Sequence, residues 1–240
     1  MLTLKGSSEV CSRSTSPPAF FKSVAPILTP LPLSRYDVAL PLLHQKLVAE
    51  FFHYGINSIL YQRGIYPPAE FDRESKYGLA MMVAIDEKLR AYLTRVLQHL
   101  EAWLLNGEVQ RVALVIKGVE TGEVFERWVF EVEATKDKEN NGLAQSQNTK
   151  TKKEISSEIS ALLRQITATV TFLPMLPEDE PASFDILMYT DHDIPVPVEW
   201  AESDAQVVKN PEIVKLRHFS TNLHRVDSSV AYRGTDDGDI

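Results

Sequence analysis

The sequence holds one cysteine, Cys11. A single thiol excludes an intrachain disulfide and any cysteine-built zinc cluster, and it fits a reducing compartment. No run of about 18 apolar residues occurs, which removes a helical membrane span. The opening residues MLTLKGSSEV lack a basic region followed by an apolar block, so no secretory signal is expected there. Positive charge is also short. Against 33 Asp and Glu stand 25 Lys and Arg, a net charge of −8, the wrong field for coating a phosphate backbone. Glycine numbers only 10, and none of it forms a phosphate-cradling loop. HExxH, GxSxG and internal repeats are absent too. These absences argue against an enzyme, a cofactor, a nucleic-acid partner and a membrane partner.

What is present is a core. Hydrophobic residues make up 44 %, enough for one sizeable domain. Leu47, Val48, Phe51, Phe52, Ile56, Ile59 and Leu60 recur at helical spacing, so a first helix is predicted from about Leu47 to before Gly64. A second runs from near Asp86 to about Leu105 and ends at Asn106-Gly107. Residues 109–117 and 124–133 read as a hairpin, with Trp128, Phe130 and Val132 on one face. Residues 136–153 are polar and read as a loop. Ile155, Ile159, Leu162, Leu163 and Ile166 mark a third helix. Residues 183–190 alternate as a strand. Residues 214–219 and 223–232 form two further candidate strands with poor alternation, so their register is weakly specified. The predicted class is α+β: three helices on a largely antiparallel sheet.

Local chemistry is sparse. Asp191-His192-Asp193 offers metal-type ligands, but adjacent residues seldom converge on one ion, and a solvated turn is the plainer reading. Lys136, Lys138, Lys150, Lys152 and Lys153 are interleaved with acids and lack aromatic neighbours for base stacking, so they read as a solvated loop. Trp103 and Trp128 lie on apolar faces and read as core.

Longer stretches carry more. EFFHYGINSILYQRGIYPP, GEVFERWVFEVE, LLRQITATVTFLP, SFDILMYTDHDIPVPVEW and VKLRHFSTNLHRVDSSVAYR resemble, in this order, the HORMA-domain spindle assembly checkpoint family, the second of the mitotic-arrest-deficient proteins. A HORMA accessory subunit of a translesion DNA polymerase is the alternative, less similar in YQRGIYP, ERW and RQITATVTFLP. The resemblance implies a single HORMA domain whose mobile C-terminal segment closes over a partner's peptide like a safety belt, the peptide adding as a strand. It implies these partners: the coiled-coil checkpoint scaffold of kinetochores, the activator subunit of the anaphase-promoting complex, members of the pseudokinase-related checkpoint complex, a remodelling AAA+ ATPase with its adaptor, and a second copy in an open–closed homodimer. The implied location is the nucleus and kinetochore, and also the cytoplasm.

Site residues follow from the same resemblance. Arg164, Gln165 and Phe172 match the self-association surface, Arg63 and Glu126 a charge pair, and Arg217 a further interface arginine. As exposed ion pairs these would orient partners and contribute about 0–1 kcal/mol. Leu187 and Tyr189 lie on the strand expected to receive the peptide, and Trp200 where the belt begins. Ser228 matches a position where added negative charge biases the switch, although Asp227 already places a charge beside it.

One stretch departs from the family. There GSSE runs almost directly into KLVAEFF; here residues 10–45 intervene, with six prolines and the one cysteine. The segment reads as a translated intron. Val-Cys is encodable by a donor-like GTATGT and Gln by an acceptor-like CAG. A disordered insertion is the alternative.

Overall fold

Three apolar helical stripes meet one face of a sheet. The computed structural model describes residues 2–6, 35–134, 150–190 and 197–234. Helix α1 (Arg35–Gln62) buries Val48, Phe51, Phe52, Ile59 and Leu60 almost completely. It begins ahead of the predicted Leu47. The sequence from residue 35 to 45, RYDVALPLLHQ, has enough apolar residues near helical spacing to extend the stripe despite Pro41, which removes one backbone donor. His44 and Gln45 are buried. Part of the suspected insertion thus belongs to α1, and residues 10–34 lie outside the described residues. Gly64, at φ 65°, ends the helix, with the Ile65 N–H donating to the Leu60 carbonyl at 3.1 Å.

A small separate sheet follows, β2 (Phe71–Lys76) with β3 (Leu79–Ala84), joined through Tyr77 and Gly78 at positive φ. The sequence reading omits this hairpin because β2 is polar on both faces apart from Phe71. Buried Asn57 holds it to α1 by accepting the Ala84 N–H at 2.9 Å.

Helix α2 (Glu87–Asn106) matches its predicted bounds. The Asp86 carboxylate caps it by accepting from the Leu89 N–H, and Gly107 ends it in the left-handed region. Strands β4 (Val109–Gly118) and β5 (Val124–Ala134) form the predicted hairpin. Helix α3 (Lys152–Thr169) starts from a capping box between Thr151 and Glu154, so the predicted polar loop ends sooner than residue 153. Its residues 135–149 lie outside the described residues. The chain continues as β6 (Ala182–Thr190), β7 (Ala201–Glu202), β8 (Pro211–Lys215), β9 (Phe219–Ser220) and β10 (His224–Arg233).

With β1 (Leu2–Gly6), the large sheet has the order β7-β1-β6-β4-β5-β10-β8, and β9 pairs with β10; every pairing is antiparallel. The helices cover one face, where Phe51 packs 4.8 Å from Phe219 and 5.7 Å from Phe130, centroid to centroid. The other face carries a smaller apolar cluster that includes Ala113, Val129, Leu187, Tyr189 and Val208. Val208 belongs to residues 203–210, the strap that joins β7 at one end of the sheet to β8 at the other.

Candidate functional site

Strand β6 reads FDILMY in its centre, apolar on both faces apart from Asp185, whose buried carboxylate pairs with Lys117. Phe184, Ile186 and Met188 enter the helix-side core, while Leu187 and Tyr189 enter the opposite cluster. Both edges of β6 are hydrogen-bonded. β4 takes one, and β1 takes the other in the register Thr3↔Tyr189 and Lys5↔Leu187. The edge expected to receive a peptide is therefore occupied by the chain's own LTLKG. The C-terminal segment lies mostly at the far end of the sheet, with β10 on β5 and β8 outside it; only β7 reaches β1.

Tyr189 is fixed by groups the sequence reading does not include. The Arg127 guanidinium donates to its phenol oxygen at 2.6 Å, and the Arg111 and Arg127 guanidiniums lie 5.1 and 5.7 Å from its ring centroid. The available signal was strand alternation: Arg111 and Tyr189 are cross-strand partners and share a face.

Trp200 is buried against Trp103, 5.4 Å between centroids, and its indole N–H donates to His99 Nδ1 at 2.8 Å. Trp128 is fully buried, so both candidate core tryptophans are core.

On α3, Arg164 is exposed, and Phe172 beyond the helix end is 53 % exposed. The side-chain oxygen of Gln165 accepts the backbone N–H of exposed Arg217 at 2.7 Å. This joins α3 to the link between β8 and β9. Arg63 and Glu126 differ from expectation. Their ion pair is buried, with side chains 6 % and 2 % exposed, so it is no surface orienting pair. Arg63 also donates to the Pro174 carbonyl at 2.6 Å, and the Trp128 indole donates to Glu126 at 3.2 Å. Burial pushes the Glu126 carboxyl up, and Arg63 and Trp128 pull it part of the way back. The pair packs this way because the chain leaving α1 meets β5, which buries most of both side chains. Glu126 also lines a cleft of about 290 Å³, with Phe125, Pro174, Met175 and Tyr232.

Ser228 is buried on β10, and its hydroxyl has no hydrogen-bond partner. Asp227 beside it is half-buried and held by Arg225, whose guanidinium lowers the carboxyl's pKa. Asp191, His192 and Asp193 lie outside the described residues, as do Lys136 and Lys138. Among the described residues no group of three or more His, Cys, Asp or Glu side chains is placed to hold a metal ion. Lys150 is no free loop lysine: it bonds Glu158 and the Ser220 hydroxyl, tying the start of α3 to β9.

A HORMA domain family model matches residues 45–224. The chain belongs to the HORMA-domain family. Within it, the similar proteins are mitotic spindle assembly checkpoint proteins. MAD2A of Dictyostelium discoideum is 50 % identical over 192 residues, covering 80 % of this chain and 92 % of the relative. Human MAD2A is 48 % identical over 188 residues, covering 78 % and 89 %. Among solved structures, a chain of the mitotic checkpoint complex superposes with a TM-score of 0.70 at 43 % identity, covering 79 % of this chain and 98 % of that one. The HORMA protein HTP-2, bound to motif 6 of HTP-3, superposes at 0.64 with 13 % identity, covering 80 % of this chain and 91 % of that one, and shares the fold.

Proposed function

We propose that the protein is a spindle assembly checkpoint switch that captures a closure-motif peptide as an added strand on β6, without catalysis. One observation carries this reading. The outer edge of β6 is held by the five-residue strand β1 through a backbone ladder at the register positions described. An extended peptide offers the same ladder, with its own side-chain contacts. It shifts the protein only by its differential affinity for the state in which β1 has left. The checkpoint relatives support the scaffold of kinetochores and the activator of the anaphase-promoting complex as the peptide donors. Members of the pseudokinase-related checkpoint complex and the AAA+ ATPase with its adaptor complete the proposed partners, with action in the nucleus, at kinetochores and in the cytoplasm. The exposed Arg164, Phe172 and Arg217, with Gln165, form the proposed homodimer surface.

Hydrogen exchange with and without a closure-motif peptide tests this. The amides of β6 are expected to stay protected while those of residues 2–6 lose protection. A folded sample that binds no such peptide overturns the reading. Co-purification with a translesion polymerase in place of the anaphase machinery assigns the chain to the alternative class.

For residues 10–45 we propose a translated intron, a reading supported by a family match that begins at residue 45. A peptide from inside the segment, found by mass spectrometry of native protein, overturns it. Deleting the segment removes His44 and Gln45 from the core and is expected to cost some stability without unfolding the domain.

A further inference from the structure

The start of the C-terminal segment is held by a clasp with defined hydrogen-bond polarity. Indole can only donate, so the bond from Trp200 Nε1 to His99 Nδ1, at 2.8 Å, requires a lone pair on Nδ1. His99 is therefore the neutral tautomer carrying its proton on Nε2, and that nitrogen faces the Glu199 carboxylate at 3.7 Å. The imidazole is boxed by aromatic rings, Trp103 and Trp200, each with its centroid 5.9 Å away. Trp200 is 7 % exposed, and the short strand β7 begins at the next residue.

We infer that His99 is the positioning residue for Trp200, and that protonation of its Nδ1 opens the clasp and frees the beginning of the C-terminal segment from α2. The added proton turns the acceptor into a donor that faces another donor, so the bond is lost outright rather than weakened. Histidine is the side chain suited to this change at physiological pH. Glu199, from the segment itself, is the charged group the structure places against the ring, facing Nε2 at 3.7 Å. Arg95 lies one turn earlier on α2. On β1, Lys5 is the register partner of Ala201, next to Trp200. The strand that β7 touches is β1, the occupant of the β6 edge. Release of Trp200 therefore loosens the outer support of β1. The clasp stands on its own geometry; only its effect on peptide capture rests on the function proposed above.

The test follows the Trp200 indole proton by NMR, and tryptophan emission, in the full chain between about pH 8 and about pH 5. Circular dichroism defines the range in which the fold is intact. In the wild type the indole proton is expected to lose about five-fold in exchange protection as pH falls, after correction for intrinsic exchange. His99→Gln keeps an acceptor that does not titrate, and its indole proton is expected to show no such loss. The same pH response in both proteins overturns the clasp. If His99→Gln fails to fold, a wild-type indole resonance that stays unmoved through the range overturns it instead. Peptide capture is then measured at the two pH limits. A clasp that opens without changing the capture rate leaves the clasp standing and overturns its link to the peptide edge.

Discussion

At the scale of single residues, burial divides the site into two kinds of position. Arg164 is exposed and its replacement leaves no group stranded. Arg164→Ala is expected to change stability by no more than about 0.5 kcal/mol while weakening homodimerisation, as sedimentation would show. Arg63 belongs to the other kind. Arg63→Ala leaves the Glu126 carboxylate buried without its counter-charge and frees the Pro174 carbonyl, a loss of about 3–5 kcal/mol in urea denaturation. A loss below about 1 kcal/mol would mean that water reaches the pair. The sequence names both residues yet not their burial. Charged residues in ERW and YQRG read as exposed ions, and only the meeting of the chain leaving α1 with β5 buries them. His99 and Arg127 were unreadable for a related reason: their partners lie 101 and 62 positions away along the chain.

At the scale of elements, strong periodicity was legible and weak periodicity was not. The bounds of α2 follow from Asp86 and Gly107, local signals that the fold leaves intact. Strand β2 was hidden because Asp72, Arg73, Glu74 and Ser75 are all exposed, so no face of it advertises burial. The polar loop hid its own end, since Lys152 and Lys153 look like loop residues until Thr151 and Glu154 close the capping box. Thr151→Ala should cost about 1 kcal/mol, measured by thermal or urea unfolding. It should also loosen the Lys150 contacts that tie α3 to β9. Removal of residues 1–6 uncovers the backbone of β6. The shortened protein is expected to capture a closure-motif peptide faster, in stopped-flow experiments, and to aggregate more readily without one. Unchanged capture would show that β1 is not the barrier.

At the scale of the whole molecule, buried histidines set the response to acid. His44 and His224 are each 5 % exposed, and burial holds the pKa of both below the usual histidine value. His53 shifts the same way, chiefly through burial. A depressed value in the fold means that the unfolded chain takes up protons first. The stability these groups confer is fully present above their unfolded pKa, near 6.5, and is lost as pH falls through the folded values. The urea midpoint should therefore drop between about pH 7 and about pH 5, and His224→Phe should flatten that drop. A flat profile in the wild type would mean that these rings are solvated. The strap has a consequence of another sort, one of length. Six strand spacings separate β7 from β8, about 29 Å. The eight residues 203–210 that join them reach about 30 Å when extended. There is no slack. Val208 is the stitch that keeps this bowstring against the sheet. Shortening it is expected to strain its ends, and the two-residue β7 should yield before the five-residue β8. Adding two residues costs little. Strap length thus works as a ruler: it fixes which sheets this chain can span and how far its last strands can travel before the first must let go.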